Sequence, residues 1–304
     1  MPRQQYIWYN GKFRKFDDVK VHIFTNTIQY GTGIFEGLRS YPTTDNNIAI
    51  FRLHDHVERF FRSAQIYMFQ IPFTSQQVEN AIIETVKKNK LEHAYIRPFA
   101  FFEHKGISLN LLGKQMSVSI TTVPFGNYFA NKEKGIRCKI SSWQRINSAI
   151  LPPQAKASGN YLGSVLSVAD AKLSGYDEAI LVSDDGYVAE GTGENIFLVS
   201  SNRLITPSPE ADILLGITRD SLIKIATSMG FVVEQRNVHR EELYTADEVF
   251  FTGTAAEITP IISIDSRPVG KGKPGPITKL LAERLSHIAS GADSKYAQWL
   301  TRIY

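Results

Sequence analysis

The chain has 304 residues, 43% of them apolar and 11% aromatic, a content that excludes a disordered protein and, with the length, suggests two globular domains rather than one. Its 34 Lys+Arg stand against 30 Asp+Glu, a formal charge of +4, which without any basic run is too thin a surplus to announce a nucleic-acid or membrane partner. The single cysteine, Cys138, excludes an internal disulfide and a cysteine-rich metal cluster. It fits a reducing compartment, and with no apolar leader or run of membrane-spanning length the expected location is cytoplasmic.

The chain opens with aromatic and β-branched pieces at 6–9, around Phe13 and at 20–24, broken at Asn10-Gly11 and Asp17-Asp18, which predict strands and tight turns. A helix is expected over 54–68, where Val57, Phe60, Phe61, Ala64 and Met68 recur at three- and four-residue steps before Pro72. A second follows Ser75 as N-cap, with Val78, Ala81, Ile82, Thr85 and Val86 along one face and Lys87-Lys88 at its negative end. The segments 94–102 and 116–123 read as strands.

The stretch PFGNYFANKEKG loses periodicity and collects Pro, Gly and charge, so the expected division is a domain over 1–123, a connecting loop over 124–135 and a domain over 136–304. The second half predicts a strand at 136–142 and then a helix at 160–173 that turns Leu162, Val165, Leu166, Ala169 and Leu173 inward. Pieces at 179–183, 187–189 and 195–199 predict an antiparallel meander. Thr218 is expected to cap a helix carrying Leu222, Ile225, Ala226 and Met229 up to Gly230, followed by strands at 231–238, 248–252 and 257–264 and a helix at 278–288. Strands outnumber helices without strict βαβ alternation, so the fold class is α+β in two domains.

Several chemistries lack their signatures. The histidines show no metal-ligand spacing, since His54 and His56 diverge on a helix, and no metal site is expected. There is no GxGxxG after a strand, no GxxxxGK[ST] and no GxSxG elbow. What remains is a group of positions that make sense together. Lys156, in PPQAKASGNY, has small neighbours that admit a planar cofactor, and Glu190 ends a β piece and opens GTGEN. A helix start at Ile217-Thr218 and the Thr254 hydroxyl suit a phosphate, with Arg59 as compensating charge. Spacing alone leaves the bland readings open: a solvated lysine, a turn glutamate, a helix cap and a surface ion pair.

The blocks YGTGIFEGLR (30–39), HDHVERF (54–60), AYIRP (94–98), AKASGNYLGS (155–164), EGTGENIF (190–197), GITRD (216–220) and GTAAEITP (253–260) resemble, in order and approximate spacing, the class IV (fold-type IV) pyridoxal-phosphate aminotransferases, and among them the branched-chain amino-acid aminotransferases. The resemblance covers nearly the whole chain. It implies a small N-terminal α/β domain and a larger C-terminal pseudo-barrel domain.

Carried over to this sequence, the resemblance implies that Lys156 tethers pyridoxal 5′-phosphate and shuttles the proton of the substrate α-carbon. Glu190 then pairs with the pyridine nitrogen, Tyr161 with the 3′ oxygen, and Arg59, Ile217, Thr218 and Thr254 with the phosphate. Tyr95, Arg97 and the turn around Thr254 and Ala255 meet the substrate carboxylate. Phe35, Gly37, Phe125, Tyr128 and Tyr161 line the side-chain pocket, with Phe125 where a larger tryptophan often stands. Tyr30 and Leu109 match positions contributed by a partner subunit, so a homodimer or higher homo-oligomer is implied. The implied reaction passes the amino group of L-leucine, L-isoleucine or L-valine to 2-oxoglutarate. D-amino-acid or (R)-amine aminotransferases and aminodeoxychorismate lyase share the lysine and phosphate cup and are the alternatives within the fold.

Overall fold

The structure is a computed structural model that describes residues 5–304. Its first elements are β1 (Tyr6–Tyr9), β2 (Lys12–Lys15), α1 (Asn26–Tyr30), β3 (Gly33–Phe35), β4 (Leu38–Pro42), β5 (Ile48–Phe51), α2 (Leu53–Ile66), α3 (Ser75–Asn89), β6 (Ala94–Phe101) and β7 (Ser117–Pro124). There follow β8 (Ile136–Ile140), α4 (Leu162–Leu173), β9 (Glu178–Val182), β10 (Val188–Gly191), β11 (Asn195–Ser200), β12 (Arg203–Pro207), α5 (Ile217–Ser228), β13 (Val232–Arg236) and α6 (Glu242–Thr245). The chain finishes with β14 (Glu248–Gly253), β15 (Glu257–Ile264), β16 (Arg267–Pro268), α7 (Pro276–Ala289) and β17 (Leu300–Arg302).

Two compact units emerge. The first takes the chain as far as Gly126, the short piece Ala155–Gly159 and the terminal His287–Tyr304. Its sheet is antiparallel throughout, in the order β17-β5-β4-β6-β7-β1-β2 with β3 also on β6. The Asn10-Gly11 turn closes the first hairpin with both residues at positive φ, as such a dipeptide favours. Val57, Phe60 and Ala64 of α2 and Val78, Ala81, Ile82 and Val86 of α3 join Ile96, Val118 and Ile120 of the sheet in one core. That is why the apolar positions of both helices recur every three or four residues.

The second unit comprises Asn127–Gln154 and Asn160–Ser286. Its sheet is mixed, ordered β10-β9-β8-β15-β14-β11-β12-β13, with parallel contacts at β8–β9, β8–β15 and β12–β13. β11 and β14 are buried on both faces: Ile196, Leu198 and Phe251 enter one core, while Phe197 stacks on Phe250 at 5.4 Å. Burial on both faces explains their unbroken apolar runs. The α+β class expected from the strand-rich order is therefore the one observed.

Some expectations are corrected. Residues 20–24 form no strand, because β2 is the edge of its sheet and the chain instead turns through Thr25, which bridges Lys105. β11 ladders with β12 and β14, not with β10, so the three pieces after α4 are no meander. The cap of α5 is Gly216, with Ile217 and Thr218 already inside the first turn. On α4 the orientation is reversed: Ser164, Ser167 and Ala171 are buried, whereas Leu162, Val165, Leu166, Ala169 and Leu173 face outward.

The cap of α3 is Thr74 rather than Ser75. Thr74 Oγ1 accepts from Gln77 N at 3.2 Å and Gln77 Oε1 accepts from Thr74 N at 2.8 Å, a reciprocal capping box. Thr74→Ala should lower stability by about 1 kcal/mol, read as a lower urea midpoint. An unchanged midpoint would mean that packing alone holds α3.

Candidate active site

Lys156 belongs to the first unit, although the chain on either side of its short segment belongs to the second. Local hydrogen bonds place it. Phe35 N donates to Lys156 O at 3.0 Å, Ile34 bridges Ala157, and Lys156 N donates to Ser63 Oγ at 3.0 Å. Ser63 in turn donates to Arg59 O at 2.8 Å. The backbone of Lys156 is thus pinned to β3 on one side and α2 on the other, and its Nζ stands 5.0 Å from the centre of the Phe35 ring.

One turn of α2 carries a buried polar network that sequence reading did not single out, apart from Arg59. Arg59 Nε and Nη2 donate to the two oxygens of Glu36 at 2.6 and 2.9 Å, and His56 Nδ1 lies 2.7 Å from Glu36 Oε2. All of these residues are buried. Burial alone would raise the Glu36 carboxyl, but the Arg59 charge and the His56 hydrogen bond outweigh it and hold the carboxyl well below the usual range. His56 moves the same way for another reason, since burial, aided by the Arg59 and Lys156 charges, outweighs its attraction to Glu36. A neutral imidazole facing an ionised carboxylate must donate through Nδ1–H.

Tyr95 and Arg97, side by side on the same face of β6, meet where Arg97 Nη2 donates to Tyr95 Oη at 2.9 Å. The Arg97 guanidinium also lies 4.5 Å from the Phe35 ring centre, and its Nε is buried without a hydrogen-bond partner among the described residues. Gly37 is required by this arrangement, for a Cβ there would fall 2.0 Å from Tyr95 Oη. Phe125 packs against Tyr95 at 5.1 Å. Lys156, Phe35, Gly37, Tyr95, Arg97 and Phe125 therefore form one neighbourhood. Tyr30 and Leu109 are not part of it: both are exposed, on a patch where Tyr30 Oη donates to Ile107 O at 3.1 Å.

In the second unit Glu190 is buried, one residue before the end of β10. Its Oε2 accepts from Asn195 Nδ2 at 2.9 Å and from Leu214 N at 3.1 Å, and Arg145 Nε stands 2.7 Å from Oε1. That last contact is a close ion pair without hydrogen-bond alignment. Gly216 is the second glycine that a close approach demands, because a Cβ there would lie 1.9 Å from Asn195 Oδ1. The α5 helix begins at Gly216 with no side-chain cap, and Ile217 and Thr218 occupy its first turn, buried. Thr254 and Ala255 sit half-buried in the turn joining β14 to β15. Tyr161 ends the short 3₁₀ turn before α4, and Tyr128 is exposed, its ring edge-on to Phe129 at 4.8 Å. Glu36, His56, Ser63, Arg145 and Asn195 were missed by sequence reading; only the charged residues inside the quoted blocks were available as a signal.

Residues 33–264 match the family Amino-transferase class IV, and the chain belongs to that family. A branched-chain-amino-acid aminotransferase of Pseudomonas aeruginosa is 39% identical over 99% of this chain and 98% of its own length. Among solved structures, the branched-chain aminotransferase of Thermoproteus uzoniensis with norvaline superposes with a TM-score of 0.95 at 43% identity, covering 99% of both chains. The branched-chain amino acid aminotransferase of T.th., complexed with N-(5′-phosphopyridoxyl)-L-glutamate, gives 0.95 at 39% identity over 100% of both. These full-length matches put the chain on the branched-chain branch of the family. Among the described residues no helix is long and apolar enough to cross a membrane.

The folded value of Glu36 lies below its unfolded value of 4.5, so its contribution to stability is complete above that pH and is lost as pH falls. Glu36→Gln leaves the Arg59 charge buried without its carboxylate and should cost about 3–5 kcal/mol near neutral pH. The gap between wild type and variant in thermal melts should narrow as pH drops below 4.5. A gap that stays constant from neutral pH to about pH 3 would mean that Glu36 is not ionised in the folded state.

Proposed function

We propose that the chain carries pyridoxal 5′-phosphate on Lys156 and moves the amino group of L-leucine, L-isoleucine or L-valine to 2-oxoglutarate, yielding the branched 2-oxo acid and L-glutamate. Arg97 is the observation that carries this reading. A guanidinium nitrogen that is buried and unpartnered costs free energy until an anion meets it, and this one shares the Phe35 ring with the Lys156 amine. An α-amino acid supplies the missing carboxylate together with an amino group for the lysine side to exchange. Support for glutamate as the other partner comes from the relative solved with a phosphopyridoxyl-glutamate compound.

The residues present fit the cofactor. The first-turn amides of α5 lack a side-chain cap, and such a helix start suits a phosphate. Glu190 is a buried carboxylate with fixed partners, suited to face a protonated ring nitrogen. When bound, pyridoxal phosphate supplies a ring that takes up the electron pair released as the substrate α-carbon loses its proton. Lys156 holds the cofactor and carries that proton. Arg97 and Tyr95, with the turn at Thr254 and Ala255, hold the substrate carboxylate, while Phe35, Gly37, Phe125, Tyr128 and Tyr161 receive its side chain. Tyr161 also serves the 3′ oxygen, and Arg59 serves the phosphate with Ile217, Thr218 and Thr254. The apolar lining suits branched chains, and a difference of one methylene, worth about 1–3 kcal/mol, leaves all three within reach.

The outward stripe Leu162, Val165, Leu166 and Leu173 on α4, and the exposed patch of Tyr30, Ile107 and Leu109, support a homodimer that covers both, since large apolar patches mark association surfaces. The single, buried Cys138 is in keeping with a cytoplasmic enzyme.

Borohydride treatment of the wild-type protein should fix the cofactor on the peptide containing residue 156, detected by mass. Lys156→Ala should show no such adduct, and an adduct elsewhere would refute the tether. With 2-oxoglutarate as acceptor, L-leucine should react faster than D-alanine, and the reverse order would transfer the chain to a D-amino-acid enzyme. Leu166→Asp should shift the species seen by light scattering from dimer to monomer. An unchanged mass would remove α4 from the interface.

A further inference from the structure

The network of Glu36, His56 and Arg59 has no evident use in a purely structural account. A buried ion pair is a weak source of stability, because desolvating two charges consumes most of their attraction and apolar residues of similar volume serve as well. Here the pair is fully buried and has, in addition, a neutral histidine committed to one of its carboxylate oxygens. What such an arrangement does provide is orientation. Two donors of the guanidinium fork, Nε and Nη2, engage both oxygens of one carboxylate at 2.6 and 2.9 Å, which fixes the plane of the fork. The carboxylate is fixed in turn by His56 and by its own backbone, since Gly37 N donates to Glu36 Oε2 at 3.1 Å.

The same helical turn is tied to the lysine segment. Arg59 O accepts from Ser63 Oγ, which accepts from Lys156 N. Glu36 adjoins Phe35, whose N–H donates to Lys156 O. An arginine side chain carries considerable rotamer entropy, and removing that freedom before a ligand arrives strengthens binding without any new contact.

Resting on the reading of Arg59 as a phosphate ligand, we propose that Glu36 and His56 are positioning residues that hold the Arg59 guanidinium ready for the cofactor phosphate. Neither touches the cofactor; both act through Arg59. The consequence is specific to the phosphate group. Pyridoxal, which lacks it, gains nothing from a well-aimed Arg59, whereas a general loosening of the fold weakens both ligands alike.

The full-length chain, freed of cofactor, is titrated with pyridoxal phosphate and separately with pyridoxal, following absorbance, for wild type, Glu36→Gln, Arg59→Ala and the double variant. Glu36→Gln should weaken pyridoxal phosphate by about tenfold or more, the equivalent of one charge-assisted hydrogen bond, and pyridoxal by less than about twofold. In the Arg59→Ala background the same substitution should add nothing. If Glu36→Gln fails to fold by circular dichroism, His56→Asn, which changes no charge, carries the test with a smaller phosphate-selective loss. Equal losses for both ligands would overturn the proposal. So would a phosphate-selective loss in Arg59→Ala with none in Glu36→Gln or His56→Asn, which leaves the Arg59 reading standing. No phosphate-selective loss in Arg59→Ala would remove the Arg59 reading and the proposal with it.

Discussion

The hydrogen bonds that seat Lys156 against β3 and α2 are the constraint on which the rest of the site depends. A lysine side chain is long and adaptable, so a reaction that needs its amine at one place needs its backbone held from both sides. Phe35 N holds the carbonyl, Ser63 Oγ holds the amide, and the Ile34–Ala157 bridge fixes the next residue. The segment is only the stretch Ala155–Gly159, yet Ala155 and Ala157 are buried within the first unit. Small residues flank the lysine because a larger side chain would push the segment off the elements that position it.

Each unit uses a buried carboxylate in contact with a buried or nearly buried arginine, and the two pairs are built differently. Glu36 grips Arg59 through aligned, bidentate hydrogen bonds, so the guanidinium is the group being aimed. At Glu190 the emphasis is reversed. Its Oε2 accepts from two neutral donors, Asn195 and the Leu214 amide, and Arg145 adds charge at 2.7 Å from Oε1 without hydrogen-bond alignment. Neutral donors fix the carboxylate in place, and the nearby cation adds charge beside it. The Gly216 position makes room for this, because only the absence of a Cβ lets Asn195 reach under the start of α5.

How much of this was legible in the sequence follows from the range of each interaction. The helices α2 and α3 were readable because their apolar faces meet a core in the same unit, and so were the strands β6 and β7, which pair along eight residues. The α5 cap was misplaced by two residues, since Thr218 has the chemistry of a cap while the backbone change falls at Gly216. Lys156 and Glu190 were read from glycine-bearing blocks and Arg59 from HDHVERF, but their partners Glu36, Ser63 and Asn195 were not read as site residues. Glu36 lies 23 positions from Arg59, and Ser63 lies 93 from Lys156. Pairings at such separations leave no periodic trace, and a buried glutamate next to a glycine reads the same as a turn residue.

Helix α4 shows where a period is read correctly and its meaning is not. Leu162, Val165, Leu166, Ala169 and Leu173 form a regular apolar stripe, and the rule that such a stripe faces the core assumes that the core belongs to the same chain. Here the inward face carries Ser164, Ser167 and Ala171, small side chains that let the helix lie close to β9. Ser167 satisfies its hydroxyl on Gly163 O at 2.8 Å within the helix itself, so burying it leaves no orphaned donor. A helix can therefore put its small polar face inward at little cost and keep its large apolar face for another surface. The period identifies the element; it does not say which face turns inward, because the same three- and four-residue spacing serves an inward or an outward stripe.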